Sequence, residues 1–212
     1  MPRHNINHGD GSDLEIRVPR ESRVEFDGIS TDVIVAEITG GTGVRSVSGD
    51  IDARRIDKRI HIKSVSGSVD ISQATGTIRV STVSGNMELD LDTSDVAVDA
   101  VSGEVNLRLG DFDRLTAATV SGGQEIEGHL NDDGHMTMRS VSGEISLRFS
   151  EQVNAQIDVK TGPGGDISNH MTADEPEDVF PSQMKLQTTL GDGSGTISVT
   201  TVTGDVSLRR DR

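Results

Sequence analysis

Hydrophobic and polar residues alternate along most of this chain with a period of two, the pattern of β-strands whose successive side chains point to opposite faces. The alternation is organised around a tripeptide, Val-Ser-Gly, whose six copies are spaced by 18, 18, 18, 19 and 21 residues. A repeat of this length that keeps its residue types in phase predicts one supersecondary unit stacked on itself. The copies lie at 47–49, 65–67, 83–85, 101–103, 120–122 and 141–143, with a variant, Val-Thr-Gly, at 202–204.

Aligned on the motif valine, each copy predicts two strands. Apolar residues stand five and three positions before the valine, as Ile60 and Ile62 do before Val65. They recur four and six positions after it, at Val69 and Ile71. Because the offsets are odd before the motif and even after it, the chain must bend within the motif, and we place that bend at the glycine.

The same parity predicts which side chains are buried. We expect the motif valines to point inward and form one buried column, with Val83 stacked on Val101. The residues on either side of each valine would then form two outward columns of hydroxyl groups, a surface that could bind ice or glycans. Hydrogen bonds that shape the corner explain these hydroxyls equally well. The pairs are Ser46 and Ser48, Ser64 and Ser66, Thr82 and Ser84, Thr119 and Ser121, Ser140 and Ser142, and Thr201 and Thr203.

Composition fits a thin aliphatic core and excludes several partners. The chain has 212 residues, 32% hydrophobic and only 2% aromatic, so Val, Ile and Leu must form the core. A net charge of -15 argues against nucleic acid and anionic membrane surfaces as partners. No apolar run approaches the roughly 20 residues that span a bilayer. The absence of cysteine excludes disulfides and thiolate metal sites.

These features predict a single-stranded β-solenoid, or β-helix, of about nine coils with about 18–21 residues per coil. Residues 1–13 are read as a disordered or truncated N-terminal segment, and 14–212 as one solenoid domain. The third side of each coil varies in length and takes the insertions, as at 109–114. A charged, proline-containing stretch at about 168–185 is expected to be an exposed excursion, and residues 209–212 to charge the open end.

The repeat resembles the bacterial adhesin domain-of-unknown-function family. The resemblance rests on Ser-Val-Ser-Gly-Asp-Ile at 46–51 and Ser-Val-Ser-Gly-Glu-Ile at 140–145. It extends to an apolar first strand ending in Val-Pro at 14–19 and to a closing coil at 195–206. The resemblance implies a right-handed solenoid, a location in the cell envelope, either periplasmic or surface-exposed, and an export or lipoprotein leader upstream. Taken without the resemblance, the polar start of the chain would indicate the cytoplasm. The family has no catalytic or binding residues to carry over.

No catalytic, cofactor or metal site is predicted. The carboxylates Asp90, Asp92 and Asp95 suggest a calcium loop, but the EF-hand glycine and bidentate glutamate are missing. The turn at 191–195 resembles a calcium β-roll repeat, but Thr196 stands where that repeat has Asp. The six histidines show no spacing typical of a metal-binding pair, so surface positions are expected for them. They are His4, His8, His61, His129, His135 and His170.

The sequence therefore favours a non-catalytic envelope protein that presents a rigid solenoid surface for adhesion or for interaction with a protein or glycan. The alternatives are a carbohydrate-active β-helix enzyme, which the lack of Trp and Tyr disfavours, and a scaffold that polymerises end to end. The excursion offers a second contact surface, since Asp174, Glu175, Glu177 and Asp178 would attract a basic partner. The oligomeric state stays open.

Overall fold

The computed structural model describes residues 14–179 and 182–210 and confirms the all-β solenoid. Its stacked parallel coils make about seven turns, where the sequence predicts about nine. Each coil gives one strand to a first sheet and one to a second sheet. The first sheet begins with β1 (Val24–Ser30), β3 (Thr42–Ser48), β5 (Arg59–Ser66), β7 (Thr77–Ser84) and β9 (Asp95–Ser102). The second sheet begins with β2 (Val33–Ile38), β4 (Ile51–Ile56), β6 (Val69–Ala74) and β8 (Met87–Leu91).

Two long strands continue both sheets. β10 (Val105–Ser121) and β11 (Gln124–Ser142) each start in the second sheet, pass along the third side and end in the first sheet. Phe112 and Leu130 pair on this third side and are fully buried there. The longer spacings of 19 and 21 residues thus fall where insertions are predicted, on the third side of the coil.

Stacking in register makes each residue the neighbour of its counterpart one coil away. Val44 pairs with Ile62, and Ile62 pairs with Val80, in parallel ladders. All three side chains are buried, as are Val69 and Ile71 in the second sheet. The core is therefore a set of aliphatic columns that run along the solenoid axis, and each coil buries its apolar face only because the next coil covers it.

The corner glycines also form a column, and here the stacking excludes any side chain. Gly103 has φ +119°, a conformation that L-residues rarely adopt. A Cβ atom on Gly103 would overlap the carbonyl oxygen of Gly85, and one on Gly122 would overlap that of Gly103. The motif glycine is therefore required both by its backbone angle and by the approach of the preceding coil.

The residue after the glycine ties neighbouring coils together. The Asp50 carboxylate accepts a hydrogen bond of 2.8 Å from the backbone N–H of Ser68. The same bond runs from Asp50 N–H to Asp32 and from Glu104 N–H to the Asn86 side chain. The frequent Asp and Asn at this position are thus explained by a hydrogen-bonding role, since each satisfies a corner N–H one coil away.

The last coils do not stack in chain order. After β12 (Ile145–Phe149) the chain forms β13 (Ala155–Lys160) and β14 (Ile167–Asn169), and then a hairpin of β15 (Glu177–Val179) and β16 (Gln183–Leu190). It returns as β17 (Gly195–Thr201) and β18 (Val206–Arg210), which lie between β11 and β12 on one side and β13 and β14 on the other. The last two layers are therefore reversed relative to the chain. The later segment, β17 and β18, stacks directly on β11 and β12, and the earlier segment, β13 and β14, forms the layer beyond it.

This arrangement corrects the prediction for the C-terminal end. β16 pairs antiparallel with β13 and covers the last layer, so part of the predicted excursion is a cap on the solenoid. Arg209 and Arg210 belong to β18, between two layers, and do not charge an open end. Asp211 and Arg212 lie outside the described residues.

The N-terminal prediction is also corrected. The family resemblance predicts a first strand at 14–19, but no strand is present in that segment. Leu14 and Ile16 are exposed. The contact to the solenoid comes later, where the Thr39 N–H donates to the Arg20 carbonyl at 2.7 Å. The predicted disordered or truncated segment, 1–13, lies outside the described residues.

Adjacent glycines provide a matched test of the corner. Replacing Gly122 by Ala should destabilise the fold by about 2–5 kcal/mol, because the new Cβ adds backbone strain and a collision with Gly103. Replacing Gly123 by Ala should have little effect, since the nearest atom to its Cβ would be 3.8 Å away. Urea unfolding measures both free energies. Equal stabilities for the two variants would contradict this account of the repeat.

Candidate functional site

The motif valines form an exposed apolar column, which we call the valine ladder. The prediction that they are buried is wrong, because each valine is 46–48% exposed. They do stack in one column, since the strands that carry them pair in register. Ile29 extends the column at its N-terminal end. The ladder thus comprises Ile29, Val47, Val65, Val83, Val101, Val120, Val141 and Val202.

The hydroxyl residue before each valine explains the inversion, because it points into the core. Ser46, Ser64 and Thr82 are at most 5% exposed. The Ser46 hydroxyl donates to the Ser48 carbonyl at 2.9 Å, and Ser64 makes the same bond across its corner. The inward alternation therefore continues through the serine, and the bend follows the valine. The alternative of corner-forming hydrogen bonds holds for this column.

The hydroxyl residue after each valine lies outside and links two coils. The Ser48 hydroxyl donates to the carbonyl of Ile29 at 3.1 Å, and Ser102 donates to Val83 at 3.2 Å. Thr203 repeats the bond to Val141. The surface at the corner is thus a stripe of small apolar side chains beside a stripe of hydroxyls, most of which donate to a carbonyl of the neighbouring coil.

A shallow groove of about 750 Å³ follows the ladder along the solenoid axis. Ladder side chains form one wall, and the outward residues two positions before them form the other. That second wall carries charge at Asp27, Arg45, Lys63 and Asp99. The groove extends from the layer of Asp27 to the layer of Val120. Its apolar wall and charged edge are suited to binding a partner.

A second depression of about 610 Å³, which we call the basic cleft, lies on the same sheet near its N-terminal end. His61 lines it, and the pKa of His61 is lowered by partial burial first and then by Lys63 and Arg45. Arg79 lowers the pKa of His61 as well, and Glu25 opposes this effect. Sequence reasoning missed this cluster, because its members come from separate coils.

The structure does not bring the suspected metal-ligating residues together. Asp90 lies on β8, Asp92 follows that strand and Asp95 begins β9. In the part of the chain that the structure describes, no three His, Asp or Glu side chains are placed to hold a metal ion. In the turn at 191–195, the Asp192 carboxylate accepts a bond from the Ser194 N–H. His129 contacts Asp111 at 3.0 Å.

The acidic excursion is only partly available to a partner. The Asp174 carboxylate accepts a hydrogen bond of 2.5 Å from the Thr188 hydroxyl, which lies on β16. Asn169 donates to the Asp174 carbonyl, so the segment is tied back to the terminal coil. Glu175, Glu177 and Asp178 are exposed.

Over residues 14–179 and 182–210, no helix is long and apolar enough to cross a membrane.

Comparison with known families gives one match. A family model described as Toastrack DUF4097 matches residues 90–209, more than half of the chain. The chain belongs to the Toastrack DUF4097 family. The Toastrack fold is β-helix-like, which agrees with the stacked coils, and the family is a domain of unknown function. No curated protein and no solved structure matches the chain.

The exposed ladder makes a specific prediction for two valines of β9. Val101→Thr should change the free energy of unfolding by no more than about 0.5 kcal/mol, because its side chain is half exposed. Val98→Thr makes the same chemical change at a buried core position and should cost about 1–3 kcal/mol. Denaturant unfolding of the two variants measures the difference. A larger loss of unfolding free energy for Val101→Thr would contradict the exposed position of this valine.

Proposed function

We propose that this Toastrack domain is a non-catalytic scaffold of the cell envelope that presents the valine ladder and its groove to another protein. The observation that carries the proposal is the uninterrupted exposed apolar column, repeated in layer after layer. A contiguous apolar patch exposed to solvent is typical of interaction sites. The coils that hold it are fixed by backbone ladders, so the surface is rigid.

The groove fits an extended protein segment better than a sugar chain. Six layers from Asp27 to Val120 span about 24 Å, the length of about seven residues of extended chain. Aromatic side chains, the usual platforms for sugars, do not line the groove. The edge carries two cations and two carboxylates, and Arg45 is paired with Asp27, which leaves Lys63 as the cation that can attract a partner's carboxylate. The ladder is therefore committed to an extended segment of small apolar side chains with an acidic residue opposite Lys63.

The two alternatives gain less support. A carbohydrate-active enzyme would need paired carboxylates beside a substrate cleft, and the groove has only Asp27 and Asp99, which lie four coils apart. An end-to-end polymer would need a free strand edge at both ends of the solenoid. β16 covers the C-terminal end, which opposes continuous stacking.

The envelope location rests on the resemblance of the Ser-Val-Ser-Gly-Asp repeat to exported and anchored proteins. Fractionation of cells that express the complete native gene should place the product with the periplasm, the membrane or the cell surface. A cytosolic enzyme followed in the same fractions is the control for leakage. Recovery of the product with that cytosolic marker would overturn the assignment.

The ladder can be tested by site-specific photocrosslinking in the native organism. A benzophenone side chain placed at Val83 should give a defined adduct with another protein. The same group at Asp90, on the opposite sheet, should give none. Val101→Glu in the Val83 probe protein should abolish the adduct, because it would put a charge on the apolar wall of the groove.

Mass spectrometry of the adduct then identifies the bound segment. A segment with small apolar residues flanked by Asp or Glu supports the proposal. Three results contradict it: no adduct at Val83, an adduct that persists with Val101→Glu, or an adduct with a second copy of this chain. Circular dichroism of each variant verifies that the solenoid is folded.

A further inference from the structure

We propose that the basic cleft is a binding site for a ligand that carries two or more oxyanion groups, either phosphates or carboxylates. The cleft has a volume of about 610 Å³, within the size range of small-molecule sites. Five cationic side chains and a single carboxylate, Glu25, line it. The cations are Arg23, Arg45, Lys58, Arg59 and Arg79.

This concentration of positive charge opposes the charge of the whole molecule. The chain carries 35 acidic and 20 basic residues, for a net charge of -15. An average surface region of such a protein has more carboxylates than cations, whereas the cleft has more cations than carboxylates. Clustered like charges also repel one another and destabilise the sheet that holds them. A ligand of opposite charge would relieve that repulsion.

Several of these cations have no carboxylate partner within the protein. Arg23 bonds to Glu25, and Arg45 reaches Asp27 at 3.3 Å. Within the described ranges, Lys58, Arg59 and Arg79 form no ion pair with an acidic residue. Their charged groups are therefore available to a ligand without breaking an internal pair.

The floor of the cleft is shaped by residues without side chains. Gly43 lies in β3, and Gly41 directly precedes that strand. Both are placed between the outward residues of β1 and those of β5. The Glu25 carboxylate leans over Gly43, in the space that a Cβ atom would occupy. Arg59 and Arg79 stand on the other side, in successive coils. The cleft is thus a depression with cations on its rim and buried glycine backbone at its base, where the Glu25 carboxylate covers Gly43.

The lowered pKa of His61 reports the same positive field from inside the cleft. Lys63, Arg45 and Arg79 all act in the direction that disfavours the imidazolium, after the larger effect of burial. Glu25 is the group that opposes them. This effect on a neighbouring side chain agrees with the geometry, although the site is defined by the cations and the glycine floor.

Arginine side chains determine the chemistry of the ligand. A guanidinium group donates two parallel hydrogen bonds to a phosphate or carboxylate, so Arg59 and Arg79 can each hold one oxyanion. Arg59 pairs with Thr77 and Arg79 with His61, so the two arginines lie diagonally across adjacent coils. A coil spacing of about 4.8 Å and a two-residue offset along the strand place their backbone positions about 8 Å apart, within reach of two oxyanion groups joined by a linker. The site goes beyond the function proposed for the ladder, because Arg59 and Arg79 do not line the ladder groove.

Isothermal titration calorimetry with sodium tripolyphosphate tests the site on the purified chain. Wild type should bind this probe, and the double variant Arg59→Gln with Arg79→Gln should bind it roughly tenfold more weakly or worse. Citrate and a polygalacturonate oligomer, titrated in parallel, distinguish phosphate from carboxylate ligands. Binding of either class alone, or of both, supports an oxyanion site.

Two further variants separate the cleft from general electrostatics. Arg114→Gln removes the same charge at the same place in the repeat, outside the cleft, and should leave tripolyphosphate binding unchanged. Glu25→Gln removes the competing carboxylate and should strengthen binding. No binding of any probe, or equal losses in the Arg59→Gln and Arg114→Gln single variants, would overturn the proposal. Circular dichroism of each variant verifies folding, and neither result depends on the valine ladder.

Discussion

In the stacked strands, each residue lies beside its own counterpart one layer away, and this constraint governs what each repeat position can hold. At the corner the spacing leaves no room for a Cβ atom, so Gly85, Gly103 and Gly122 follow one another. One position later, Asp or Asn is favoured because its side chain accepts the N–H of the next coil. Inside, aliphatic columns fill the core, and the inward hydroxyl column of Ser46, Ser64 and Thr82 is tolerated because it donates to corner carbonyls. The stacking of like positions, which we call the stacking rule, therefore determines the residue types of the repeat motif.

Much of the fold could be predicted from the sequence, because the stacking rule recurs with a countable period. Strands on both sides of the motif and the variable third side follow from spacing alone. The burial of the corner could not be predicted, because binary patterning assigns valine to the inside and serine to the outside. Here the hydroxyl of Ser46 satisfies a corner carbonyl inside the coil, and that local bond decides the direction of Val47.

The order of the last layers was hidden for a different reason. Periodicity shows that a segment can form a coil but does not show which neighbours it has. The segments 155–169 and 195–210 both have strand patterns, and either could follow β12 in space. The chain places the later segment next to β11 and β12 and seals the earlier one with an antiparallel strand. The basic cleft was hidden by the same limitation, since its charges are separated by a full coil in sequence.

Outward columns escape the constraint that fixes the inward ones, and this difference shows where function can reside. At positions two and four residues before the ladder, the outward side chains vary from coil to coil, as Arg45, Lys63, Ser81 and Asp99 illustrate. The ladder is valine at every position except Ile29 at its N-terminal end, although exposure gives it the same freedom. Threonine would fit an exposed strand position with a similar β-propensity. Valine at each copy of the motif thus maintains an apolar surface that folding alone does not require, beside columns whose charges differ from one end of the solenoid to the other.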